Sequence, residues 1–177
     1  MSQNEFVFKI ILIGPGAVGK TSLLQRFVHN KFSEGYSLTI GVDFLSKEVE
    51  TSPGEKSRLT IWDVGGQDRF KFMRSRFYDG SSGALLVFDL SRAQTYKEVR
   101  KWLKEFRQFA GSKVPFLLIG NKSDLIADIG EVVDRDEARK FAENENSIYI
   151  ETSAKTGDNV EKSFIELVKI ILSATSQ

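Results

Sequence analysis

Gly14-Pro15-Gly16-Ala17-Val18-Gly19-Lys20-Thr21 has the spacing G-x-x-x-x-G-K-[ST], which suits phosphate chemistry. Glycines let a backbone curl until its N–H groups converge on phosphate oxygens. Lys20 supplies a point charge for the outer phosphates, and the Thr21 hydroxyl a ligand for Mg²⁺. Such a loop needs a strand before it and a helix after it. The apolar run Phe6-Val7-Phe8-Lys9-Ile10-Ile11-Leu12-Ile13 predicts a strand over 5–13. Leu23, Leu24, Phe27 and Val28 share one face of a helix predicted over 19–30. A helix starting near Val18 turns the positive end of its dipole to the same phosphates. The plain alternative is a glycine turn before an ordinary helix, and the flanking strand and helix favour phosphate binding over it.

Three further stretches end predicted strands, where ligands bind in open α/β sheets. In Asp63-Val64-Gly65-Gly66-Gln67, Asp63 closes an apolar strand, where a carboxylate can hold Mg²⁺ through water. The Gly66 N–H is free to meet a terminal phosphate. In Asn121-Lys122-Ser123-Asp124, the Asp124 carboxylate can accept two N–H bonds from guanine, a pair that adenine does not offer. The Lys122 stem can lie along the base plane. In Thr152-Ser153-Ala154-Lys155, a backbone N–H can meet the guanine carbonyl oxygen. Each stretch alone reads as a polar turn. All four in order, each after its own strand, point to one guanine-nucleotide site.

The elements that must position these loops alternate strand and helix, which predicts a parallel sheet with helices on both faces. Val42–Thr51 and Ser57–Val64 are joined through Ser52-Pro53-Gly54, so short a link that the two strands must be antiparallel. Lys31 to Ile40 is a long loop, and Gln67 to Tyr78 a basic, loosely helical segment. Ala84–Leu90 and Val114–Gly120 read as buried strands, and Ser147–Glu151 as the last one. Thr95 with Glu98, Asp134 with Glu137, and Asp158 with Glu161 read as helix caps. Val160, Phe164, Leu167, Val168, Ile171 and Leu172 form a core-facing helical stripe. His29, alone among histidines, reads as a solvated helix end, and Lys71, Arg74 and Arg76 read as solvated basic residues.

With 177 residues, 41% hydrophobic and 28% charged, the composition is that of an ordinary globular domain. A net charge of +1 argues against nucleic acid as a partner. The absence of cysteine excludes disulfides, thiolate metal sites and prenylation, and Ser2 excludes myristoylation. No apolar stretch is long enough to span a membrane, and no signal peptide is recognisable. The expectation is a cytoplasmic protein without direct membrane binding. Membrane association would need a C-terminal tail that this sequence lacks.

The chain resembles a small GTPase of the Ras superfamily from about Phe6 to Leu172, and is most similar to the Rab branch. Ile40-Gly41-Val42-Asp43-Phe44, Ile61-Trp62-Asp63, Gly66-Gln67-Asp68-Arg69-Phe70 and Phe77-Tyr78-Asp79-Gly80 carry that resemblance, whereas Val64-Gly65 is Arf-like. It implies one small G domain over 1–177, core about 6–172. The implied fold is a three-layer α/β P-loop NTPase: a mostly parallel six-stranded sheet, one antiparallel edge strand, helices on both faces. It also implies that 31–40 is switch I. There Thr39 would ligate Mg²⁺ and sense the γ-phosphate, Tyr36 would fold over the phosphates, and Phe32 would stack on the guanine edge. Residues 65–78 would be switch II, with Gln67 orienting the attacking water. Gly14, Gly16, Ala17, Val18, Gly19, Lys20, Thr21, Ser22, Gly66, Asn121, Lys122, Asp124, Ser153, Ala154 and Lys155 would complete the nucleotide site. Effectors, exchange factors and GTPase-activating proteins would meet the two switches and the hairpin 42–64. Trp62, Phe44 and Phe77 are expected to form a partly exposed aromatic patch there. The implied activity is slow hydrolysis of GTP to GDP by a molecular switch, in membrane trafficking. A nucleotide-locked binding module without turnover is the alternative, and the presence of Gln67, Thr39 and Lys20 argues against it. An ATP-using enzyme is disfavoured by Asp124.

Overall fold

The computed structural model describes residues 5–35 and 39–177. Within them run β1 (Phe6–Ile13), α1 (Lys20–His29), β2 (Val42–Ser52), β3 (Glu55–Val64), α2 (Lys71–Tyr78), β4 (Gly83–Asp89), α3 (Ala93–Lys97), α4 (Val99–Ala110), β5 (Phe116–Asn121), α5 (Ile126–Ile129), α6 (Arg135–Asn144), β6 (Tyr149–Thr152) and α7 (Val160–Thr175). The sheet order is β2-β3-β1-β4-β5-β6. β2 runs antiparallel to β3, and the other neighbours are parallel. The expected six strands, antiparallel edge and covering helices are all present.

Strand periodicity divides the core into two layers. Phe8, Ile10 and Leu12 of β1, with Leu85 and Val87 of β4, face α1 and α7. Ile11 and Ile13, with Ala84, Leu86 and Phe88, face α2, α4 and α6. A strand covered on both faces has no solvent side, so β4 is apolar from Gly83 to Phe88 and turns polar only at its last residue, Asp89. The α7 stripe meets α1 through Phe164, stacked on Phe27 with ring centroids 3.9 Å apart. Truncating a buried phenylalanine of this kind costs about 3–5 kcal/mol. Because β3 and β1 run in the same direction, the loops after β1, β3, β4, β5 and β6 all open at one edge of the sheet.

Local expectations fared unevenly. Asp134 does cap α6, its Oδ1 accepting from the Glu137 N–H at 3.0 Å. Thr95 caps nothing ahead of it. It lies inside α3, and its hydroxyl turns back to donate to the Arg92 carbonyl and to accept from the Asp89 N–H. Asp158 is not a cap either. Asn159 takes the N-cap position in a left-handed conformation (φ 56°) and donates through its side chain to the Glu151 carbonyl. Pro115 lies outside β5, which starts one residue later; β6 starts at Tyr149, and ahead of it the Ser147 hydroxyl donates to the Phe116 carbonyl.

Candidate functional site

The loop after β1 is shaped by contacts that tolerate little change. Gly19 adopts φ +99°, and a Cβ there would sit 2.3 Å from the Asn121 amide nitrogen. That amide donates to the Val18 carbonyl at 2.9 Å, and its oxygen accepts from the Thr152 hydroxyl at 2.9 Å. One buried carboxamide at the end of β5 therefore ties the loop after β1 to the end of β6. Ala17 also holds a left-handed conformation, φ 64°, which costs a residue with a side chain about 1–2 kcal/mol. Among the described residues, no backbone N–H from Gly16 to Gly19 has a hydrogen-bond partner. Free N–H donors gathered at a helix N-terminus suit an anion.

Lys20 is buried, and its Nζ donates to the Gly14 and Pro15 carbonyls at 2.8 and 2.7 Å. Burial pushes its pKa down to about 8, against the pull of Asp63. A phosphate would supply the negative charge that this cation lacks. Beside it three oxygen-bearing side chains meet. Thr21 Oγ1 lies 2.6 Å from Thr39 Oγ1 and donates to Asp63 Oδ2 at 2.5 Å, and the Thr39 hydroxyl lies 3.3 Å from the same oxygen. Asp63 Oδ1 is buried without a partner among the described residues. Hard oxygen donors with one valence unsatisfied fit Mg²⁺.

Gly66 presses on the phosphate loop: a Cβ would lie 2.5 Å from the Gly14 carbonyl oxygen and 2.8 Å from the Gly16 nitrogen. Gln67 follows it, its side chain 4.0 Å from where a Cβ on Gly16 would stand. Arg74 corrects the expectation of a solvated basic residue. It is 1% exposed and forms a two-bond pair with Glu105 at 2.8 and 2.9 Å, while Nη1 donates to the Gln67 carbonyl at 2.8 Å. Lys71, Arg76 and His29 are exposed, as expected.

These loops enclose a cavity of about 930 Å³. Gly16, Ala17, Gly19, Lys20, Thr21 and Ser22 line one end of it, together with Thr39, Gly66 and Gln67. Phe32, Asn121, Lys122, Asp124, Ala154 and Lys155 line the other end. Gly14, Val18, Asp63 and Ser153 do not line it and stand behind the wall, where Ser153 donates to Asp124 Oδ1 at 2.7 Å. Tyr36 falls outside the described residues. Several contributors were not anticipated. Arg26 holds the last loop by donating to the Ala154 and Lys155 carbonyls at 2.8 and 2.6 Å. Gln25, Glu34 and Leu125 also reach the cavity. Such positions carry no motif of their own; only the pairing of distant strands brings them there.

At the antiparallel edge, Phe44 is 55% exposed and stacks on Trp62 at 4.8 Å, and Trp62 meets Phe77 at 5.5 Å. The expected aromatic patch is present, with Trp62 and Phe77 half-buried beneath Phe44.

Comparison with known proteins gives the same reading. The family model for the Ras family matches residues 9–173. The Ras-related protein Rab-30 of Homo sapiens, of Bos taurus and of Mus musculus are each 42% identical over 177 residues, which is 100% of this chain and 86% of each relative. A cavity with free N–H donors at one end and a carboxylate at the other sits within the matched span. The chain belongs to the Ras family as a small GTPase of the Rab branch, which hydrolyses GTP to GDP.

Proposed function

We propose that the chain is one small G domain over 1–177 that acts as a slow-turnover switch in membrane trafficking. The convergence of Thr39 and Gly66 on the Lys20 end of the cavity carries this reading. Both residues come from loops outside the phosphate loop, and a γ-phosphate would hold both at once. Hydrolysis would remove that shared anchor and release them.

In this reading the N–H groups of 16–19 and the Lys20 ammonium bind the β- and γ-phosphates. Thr21, Thr39 and Asp63, the last through water, would hold Mg²⁺, and the ion would supply charge neutralisation. Gln67, whose backbone carbonyl accepts from Arg74 Nη1, orients the attacking water. Asp124 accepts from guanine, Lys122 and Phe32 pack on the base, and an N–H of 153–155 meets its carbonyl. Effectors and regulators dock on switch I, switch II and the Phe44–Trp62–Phe77 patch, where rigid aromatics supply area at low entropic cost. None of the described helices is long and apolar enough to cross a membrane.

The test is the nucleotide released from denatured, freshly purified protein, followed by single-turnover hydrolysis of preloaded GTP. Guanine nucleotide and a slow, measurable rate are expected. Bound GTP that never turns over would replace the switch by a locked module.

A further inference from the structure

Asp89 ends β4 at the binding edge of the sheet, fully buried, and belongs to none of the four nucleotide motifs. Its Oδ2 accepts from Lys122 Nζ at 2.8 Å and from Arg92 Nε at 3.0 Å. Its Oδ1 accepts from the Ser91 N–H at 2.8 Å and the Ser91 hydroxyl at 2.6 Å. Four donors fill the capacity of one carboxylate. Burial pushes its pKa up, but the bonds from Lys122, Ser91 and Arg92 outweigh burial and hold it below the ordinary value.

Both cations reach onward. Lys122 Nζ donates to the Ala17 carbonyl at 3.0 Å, and Arg92 Nη2 to the Gly16 carbonyl at 3.1 Å. In a planar trans peptide, C=O and the following N–H point in opposite directions. Pinning the Gly16 oxygen therefore aims the Ala17 N–H away from Arg92, and pinning the Ala17 oxygen aims the Val18 N–H away from Lys122. Those two N–H groups are among the free donors of the phosphate loop.

We propose that Asp89 is a positioning residue that, through Lys122 and Arg92, orients two peptides of the phosphate loop and so sets how long a guanine nucleotide stays bound. This rests on the reading of the cavity as the nucleotide site. The carboxylate couples the base-reading loop after β5 to the phosphate loop after β1, so loss of the coupling raises dissociation without touching base choice.

The test is the release rate of a fluorescent GDP analogue, chased with excess GDP, from the full chain with Mg²⁺. Asp89→Asn keeps the shape and removes the charge, and the freed Lys122 and Arg92 are 33% and 46% exposed, able to rehydrate. Release is expected to quicken by about tenfold or more, the equivalent of about 1.4 kcal/mol. The preference for GDP over XDP should be unchanged, which a general collapse of the site would not leave intact. In a Lys122→Ala background, the same substitution should add less than about threefold, because its main route is already gone. Arg92→Gln, a half-exposed change that does not threaten folding, should quicken release severalfold. Release within about twofold of the parent in Asp89→Asn overturns the proposal, as does full multiplication of the Asp89 and Lys122 effects. Should Asp89→Asn not fold, unchanged release in Arg92→Gln overturns it. A parent that holds no guanine nucleotide would instead overturn the reading of the cavity.

Discussion

Replacing Arg74 by methionine is expected to be among the most damaging single changes outside the nucleotide loops. Its guanidinium is 1% exposed, lies 4.3 Å over the Trp102 ring, and faces a Glu105 side chain only 8% exposed. Methionine fills much of the same volume and removes the charge. Glu105 is then left in the interior with the Tyr78 hydroxyl, at 3.0 Å, as its remaining donor. Breaking one side of a buried pair costs about 3–5 kcal/mol, because the other charge stays unpaired. For a chain of this size each kcal/mol moves the melting temperature by about 2–4 °C, so a fall of about 6–20 °C is expected. The partner change separates this cause from lost packing. Arg74→Met with Glu105→Met strands no charge and leaves chiefly the Tyr78 hydroxyl unpaired, worth about 1–3 kcal/mol. The double variant should therefore melt several degrees above the single one. Thermal unfolding followed by circular dichroism, at fixed saturating GDP and Mg²⁺, measures both. A single variant within about 2 °C of the parent, or a double variant no more stable than the single, refutes the reasoning.

Gln67→Leu should keep GTP and Mg²⁺ loading while single-turnover hydrolysis slows by about tenfold or more, at least ~1.4 kcal/mol on the barrier; an unchanged rate would remove Gln67 as the water-positioning group. Asp124→Asn should shift preference from GTP towards XTP, since the new amide faces two guanine donors with one acceptor; competition binding that keeps the parent's margin would disprove the base contact. The Glu151 carboxyl is raised by burial, but bonds from Arg135 and Tyr149 outweigh this and hold its pKa below 4.5. A depressed folded value means stability present above 4.5 and lost as pH falls through the folded value. Glu151→Gln should accordingly flatten the acid limb of a stability–pH curve, and an unaltered slope below about pH 4.5 would show that the pair contributes nothing there.

Legibility in the sequence follows the range of the interaction. The phosphate loop was readable because strand, turn and helix are contiguous, and the Asp134 cap because its partner is Glu137, three residues on. Thr95 and Asp158 fit the same local pattern and do something else, since tertiary partners compete for the side chain: the end of β4 takes the Thr95 hydroxyl. Arg74 was misread because its partner Glu105 lies 31 residues away, on another helix. Arg26 holds a loop 128 residues away, which no spacing rule connects. Asp89 resembles Asp63 in lying at the end of an apolar strand, a pattern legible in the sequence. The α3 and α5 segments, five and four residues long, are too short for periodicity to reveal.

The hairpin turn at Pro53-Gly54 lies before β3, and the link Gly111–Pro115 before β5, so both sit at the pole of the sheet remote from the nucleotide loops. An added Cβ at Gly54 meets nothing within 4 Å, so only its φ of +82°, which favours glycine, restrains that turn. The molecule thus has one pole that carries the loops lining the cavity, and another that answers only to connectivity. The second pole is where a reporter domain or an inserted peptide can be grafted into the running chain with the switch left in working order, and where sequence can drift without cost to nucleotide chemistry.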